Sequence, residues 1–238
     1  MVVVEVNGYT IHPKAELSGA DLSRGHPGSS LRGDLSFANL EGANLEGANL
    51  EGVILSFANL EGANLKGGKL KPSKGSAGGL NLRSSNLENV DLSESVLTGA
   101  DLSGAILTGA CLPGYNSSGL VGANLSGVDL GDLRVAPCLD GADLTGAKLA
   151  RLRVIEDGIS DAKMAHADLR EALFGKAMIY RSDLSRADLS GARFSEATLR
   201  SVNLSGSNLC GADLSGAKLW DCDLSGAIAD TQTRWPAD

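Results

Sequence analysis

The chain has 238 residues and a formal net charge of −8, with 42% apolar but only 4% aromatic residues. That length allows one or two domains, and the apolar share is enough for a core that must be built from Leu, Val, Ile and Ala. The acidity excludes non-specific attachment to nucleic acid or to an anionic membrane and favours a basic partner, and no apolar run reaches the ~20 residues of a membrane-spanning helix.

The chain opens with "MVVVEVNGYTI", two β-prone runs flanking Asn7-Gly8. This reads as a hairpin on an Asn-Gly turn, so residues 1–14 are assigned to an N-terminal hairpin or cap. The same stretch lacks the basic and long apolar regions of a signal peptide, and cytoplasm is the expected compartment. Beyond it a leucine recurs at every fifth position, usually preceded by Ala-Asp or Ala-Asn: Leu35 to Leu70, Leu82 to Leu112, then Leu120, Leu125 and Leu130. A period of five suits neither regular element. On a helix, successive leucines would drift by about 140°, and on a flat strand they would alternate between faces. Every Leu points inward only if the chain turns a corner once per pentad. The Ala two before each Leu then fills the other inward slot. Asp or Asn, and the Ser-Gly, Glu-Gly and Thr-Gly pairs, take outward and turn positions. Such a coil stacks on itself as a solenoid.

The segments "GANLEGANLEGANLEG", "TGADLSGAILTGACL" and "LSGADLSGAKLWDCDLSGA" resemble the pentapeptide-repeat family, whose consensus is A(D/N)Lxx, over most of residues 15–229. The resemblance implies an all-β fold, a right-handed quadrilateral β-helix with about 20 residues per coil and hence about ten coils. Residues 20 apart then stack. Glu46 with Lys66 and Glu51 with Lys71 would make opposite-charge rungs, and Phe37 would lie under Phe57.

The stretch "ARLRVIEDGISDAKMAH", residues 150–166, looks like an insertion. Stepping by five from Leu139 to Leu224, however, meets Val154, Ile159, Met164, Leu169 and Phe174 in turn, and every step is apolar. The stretch reads as three pentads with degraded letters; Asp157 alone is wrong for an inward slot and marks a turn or kink. Gly, Ser and Pro dominate the real interruptions, expected as loops near 23–34, 71–79, 113–119 and 136–138. Residues 230–238 are left as a C-terminal cap or tail, with Trp235 and Pro236 as a lid.

No nucleophile elbow, phosphate loop or dinucleotide motif occurs, and the filled interior leaves no substrate cavity, so no catalytic residue and no cofactor are expected. Cys111, Cys138, Cys210 and Cys222 show no ligand spacing, and His12, His26 and His166 stand apart from them, so no metal site is expected. Function must lie on the surface. The column Ser160, Tyr180, Arg200 and Trp220 sets an Arg between aromatics, a cation–π arrangement and a candidate partner contact. Phe37 and Phe57 form a second candidate. The reading is a non-enzymatic structural or protein-interaction scaffold, a rigid acidic rod serving a protein partner or a larger assembly such as a virion. Neither nucleic acid nor membrane is an expected partner, and homo-oligomerisation through the solenoid ends is a further expectation. The resemblance implies one alternative, a DNA-mimicking binder of DNA gyrase or topoisomerase IV that protects against quinolones or toxins. Against it, lysines and arginines dilute the acidic faces after residue 139.

Overall fold

The computed structural model describes residues 4–6, 8–22, 33–72, 77–113, 119–130, 139–154 and 158–237. Asp157, residues 136–138 and the middles of the other expected loops lie outside these residues. Strands β1 (Val4–Val6) and β2 (Tyr9–Ile11) pair antiparallel with Val6 opposite Tyr9. Gly8 takes a φ of 85°, a left-handed value a hairpin turn requires and glycine adopts freely.

The rest of the described chain is a solenoid, and one pentad shows why these residues form it. Every backbone N–H of Asn44–Ala48 has a partner, although the chain turns a corner within five residues. Asn44 donates back to Ala15 O at 2.9 Å, Leu45 forward to Asn64 O at 2.6 Å and Gly47 forward to Lys66 O at 2.9 Å. Ala48 donates to Leu45 O at 2.9 Å and closes the turn. The remaining donor, Glu46 N–H, goes to Asn44 Oδ1 at 3.2 Å. The same bond recurs at Asn59–Glu61, Asp143–Thr145, Asp183–Ser185 and Asp223–Ser225. The Asp or Asn before each Leu therefore holds the corner as well as facing outward.

The chain divides into two compact units, Met1–Asn124 and Leu125–Asp238. In the first, the rungs Asn39–Asn59–Asn81–Asp101–Asn124 form one wall and Glu16–Asn44–Asn64–Asn86–Ile106 the next. Residues 20 apart pair within a block. The offset becomes 28 at Glu16–Asn44, 22 at Asn59–Asn81 and 23 at Asp101–Asn124, where the intervening stretches carry extra residues. In the second unit Asp129 pairs with Lys148, an offset of 19, and from Asp143 onward the spacing of 20 holds without a slip up to Asn208–Ile228. It is the same on both sides of residues 155–157, at Arg153–Leu173 and Ile159–Ile179, and Leu152, Val154, Ile159, Ala162 and Met164 are all buried. Gly158 is needed there: its φ is 77°, and a Cβ on it would collide with the Met178 carbonyl.

Leu and Ala fill the interior, with Phe174 and Phe194 stacked inside at 4.7 Å. Four buried serines replace the small Ala. Ser85 Oγ donates to Leu82 O and Ser182 Oγ to Tyr180 O, but Ser207 Oγ is buried without a partner. At the far end the tail adds a rung, Arg234 on Asp213, and Asp230 Oδ1 accepts from Gly211 N. Trp235 is 45% exposed, and Pro236 and the last-coil residues Leu219 and Leu224 are half-buried.

Two predictions arise here. Replacing Ser207 by Ala removes an unpaired buried hydroxyl and keeps the volume of the slot, so denaturant unfolding is expected to show a gain of about 1 kcal/mol. The second concerns acid. The Ser93 hydroxyl and then Lys71 bring Asp91 down to about 2, and the Ser215 hydroxyl holds Asp213 below its ordinary 3.8. These folded values are depressed, so the stabilisation is complete above 3.8 and is lost as pH falls toward about 2. Asn keeps the acceptor but carries no titrating proton. Melting temperatures of Asp91→Asn with Asp213→Asn should therefore fall less over that window than those of the parent protein.

Candidate functional site

With the interior filled, chemistry is confined to what the corners and walls present outward. In the second unit three walls are sets of single-residue rungs. One runs Asp143–Lys163–Asp183–Asn203–Asp223, the next Lys148–Asp168–Asp188–Asn208, and the third Arg153–Leu173–Arg193–Asp213–Arg234. The fourth is a parallel sheet of β3 (Ile159–Ser160), β4 (Met178–Tyr180), β5 (Thr198–Arg200) and β6 (Lys218–Trp220). None of Met178, Thr198 and Lys218 carries an amide or carboxylate to hold the following turn. Here the chain stays extended for a third residue and pairs in a ladder.

Within that ladder Ser160 is opposite Tyr180, Tyr180 opposite Arg200 and Arg200 opposite Trp220. The expected column is thus assembled on one wall, but its cation–π contact is not the expected one. The cation over Trp220 is Lys218, with Nζ 5.8 Å from the ring centroid, because residues two apart on a strand share a face. Met178 and Trp220 are 41% and 52% exposed, and Tyr180 is half-buried with its hydroxyl 3.3 Å from Met178 Sδ. Lys218 and Met178 did not stand out in the sequence, where the signal lay only in their position two before Trp220 and Tyr180.

Phe37 and Phe57 lie in the other unit and do stack, at 5.3 Å between centroids and 11° between planes. Both occupy the third position of the turn, with φ of 59° and 57°, where most pentads carry Gly. The ring of Phe57 lies over Gly79, whose missing Cβ makes room for it. Left-handed backbone costs an L-residue about 1 kcal/mol, and several such residues elsewhere are tied to an adjacent coil. Arg151 pairs with Glu171 at 3.0 Å and Arg181 with Asp161 at 2.6 Å. That Arg181 guanidinium holds the Asp161 carboxyl below its ordinary range. Two expected rungs differ in their partners: Lys66 reaches Glu88 at 2.9 Å and Lys71 reaches Asp91 at 2.9 Å. Glu46 Oε2 accepts instead from Asn64 Nδ2, which leaves Lys66 to the coil beyond.

Other chemistry is sparse among the described residues. No group of three or more His, Cys, Asp and Glu could hold a metal ion, and no helix is long and apolar enough to cross a membrane. Burial raises the Cys222 thiol above its ordinary value, which keeps it from acting as a thiolate. His166 is exposed at a corner. An open polar groove of about 660 Å³ between the tail and the third wall is lined by Arg193, Asp213, Thr231, Gln232 and Arg234.

The family model described as pentapeptide repeats matches eight copies in the chain, over residues 34–71, 79–114, 159–195 and 192–228. Among solved structures, the chain is similar to HetL, a pentapeptide repeat protein involved in heterocyst differentiation regulation from the cyanobacterium Nostoc sp. strain PCC 7120. Identity is 27% over 93% of this chain and 86% of that one, with a TM-score of 0.47. Full-length QnrB1, a plasmid-mediated fluoroquinolone resistance protein, matches at 17% identity over 92% and 93% of the two chains, with a TM-score of 0.27. A pentapeptide repeat protein from the Arabidopsis thaliana thylakoid lumen matches at 25% over 58% and 68%, with a TM-score of 0.16. No curated protein sequence matches.

The two phenylalanine pairs should respond differently to truncation. Phe37→Gly loses a stack worth about 0.5–1.5 kcal/mol and relieves backbone strain of about 1 kcal/mol, so unfolding free energy should stay within about 1 kcal/mol of the parent. Phe194→Ala in the interior should cost about 3–5 kcal/mol in the same measurement.

Proposed function

The chain belongs to the pentapeptide-repeat family, and on that premise we propose that it is a non-enzymatic protein-interaction scaffold whose walls bind a protein partner. The observation that carries this reading is the combination of a filled interior with large apolar side chains left outside it. Leu, Ala and Phe occupy the inward slots at or near zero exposure, while Phe37, Phe57 and Trp220 are 75%, 61% and 52% exposed. Single exposed hydrophobic residues are ordinary, but here Phe37 and Phe57 stack on neighbouring rungs, and Trp220 shares a sheet wall with Tyr180 and Met178. A partner meeting such a surface finds its anchors already ordered, which reduces the entropy lost on binding.

Imitation of DNA is the weaker reading. It requires negative charge around the fibre, whereas in the second unit Arg153, Arg193 and Arg234 line one wall and Arg200 and Lys218 the next. Two assays check the choice. The purified chain, immobilised, should retain a protein at fixed stoichiometry from a lysate of its source. At micromolar concentration it should leave gyrase supercoiling and its quinolone inhibition unchanged. Protection of gyrase would install the DNA-imitating reading in its place, and retention of no protein would remove the scaffold role.

A further inference from the structure

We propose that the wall formed by β4, β5 and β6 is the docking surface for an acidic, apolar-bearing protein segment. The inference rests on the scaffold reading and specifies the partner's chemistry. Outward positions on these three strands are Met178 and Tyr180, Thr198 and Arg200, and Lys218 and Trp220. They include two cations, three large apolar or aromatic side chains and no carboxylate, on a chain whose net charge is −8. Two of the other walls of this unit carry two or more aspartates each and the third carries Asp213, whereas Met, Thr and Lys stand at the corresponding positions here.

Charge complementarity selects the occupant. Neither Arg200 nor Lys218 has an ion-pair partner among the described residues; Lys218 instead lies over the Trp220 ring. The cations at the neighbouring corners are already matched, Arg181 by Asp161 and Lys176 by Glu196. Two uncommitted positive charges beside an exposed Trp call for carboxylates flanking an apolar side chain. The residue types Trp, Tyr and Arg are those that anchor protein interfaces. A nucleic acid suits the wall less well. Two cations neutralise about two phosphates, against the 6–10 contacts of a strong phosphate binder, and the acidic walls Asp143–Asp223 and Lys148–Asn208 repel a longer polyanion. The surface is also pre-ordered. A third paired residue per strand locks the side-chain grid, with rungs about 4.8 Å apart.

The test uses the full chain and three fluorescein-labelled probes of equal length. These are a twelve-residue peptide alternating Glu with Leu, the same peptide with Lys for Glu, and a twelve-nucleotide single-stranded DNA. By fluorescence anisotropy the acidic peptide should saturate with a Kd below about 1 mM, while the basic peptide and the DNA should not. Trp220→Ala, and Arg200→Glu with Lys218→Glu, should each weaken binding at least about tenfold. Arg186→Glu, at a corner of the Asp143–Asp223 wall, should leave it unchanged. Circular dichroism melts identify any variant that fails to fold, and charge reversal at exposed Arg200 and Lys218 leaves the core untouched. No saturable binding, or equal binding by all variants, overturns the proposal. DNA binding lost in the same variants would overturn it in favour of nucleic acid. If the Trp220→Ala protein still retains the scaffold's partner undiminished, this wall is excluded while the scaffold role stands.

Discussion

The demand that every backbone N–H find a partner while the chain turns a corner every five residues governs this fold. Four of the five donors in a pentad are satisfied by backbone, three on adjacent coils and one across the turn. The fifth, on the first turn residue, points away from both neighbouring coils. The side chain of Asp or Asn two residues earlier supplies its acceptor, as Asn44 does for Glu46 and Asp183 for Ser185. The choice of Leu and Ala is then a packing matter, because a narrow coil admits one large and one small side chain per edge.

The interior was legible in the sequence because the inward slots tolerate so little. Val154, Ile159 and Met164 keep the register through residues 150–166 even where the surrounding letters look foreign, and all three are buried. Outward features were legible only as columns. Residues 20 apart do stack, so Phe37 meets Phe57 and Tyr180 lies beside Arg200. What each side chain does within its column was not legible. Lys66 chose Glu88 over Glu46, and the cation at Trp220 came from the same strand, because a flexible side chain has several partners in reach. The corner-holding bond of Asp and Asn was missed for a different reason. An outward polar residue reads as solvated unless the orphan donor beside it is counted.

The two units use the same frame with different surfaces. In Met1–Asn124 amide ladders such as Asn81 to Asn59 at 2.9 Å run along the walls. In Leu125–Asp238 aspartates dominate two walls, while arginine, lysine and aromatics gather on the other two. Turn positions follow the same division. Gly takes most of these positions, and a left-handed Phe57 or Arg151 carries its side chain to an adjacent coil, onto Gly79 and Glu171 respectively. Membership in the family thus accounts for the frame, and the identity of the outward residues carries what distinguishes this chain.

The unequal rung offsets of 28, 22, 23 and 19 show how such a frame tolerates changes in length. A length change that is not a whole pentad leaves the rungs paired, as the three extra residues between Asp101 and Asn124 do. A gain of one whole pentad inside the coil acts otherwise. Every downstream Leu would still point inward and the core would be unchanged, yet each outward residue would advance by one wall. Trp220 would leave Arg200 and Tyr180 and come to stand over a different column. A gain of four pentads would restore the original alignment one coil further along. In evolutionary terms, duplication in multiples of 20 copies a surface, whereas duplication in fives shuffles it with little cost to stability, which lets relatives share a core and keep no binding site in common.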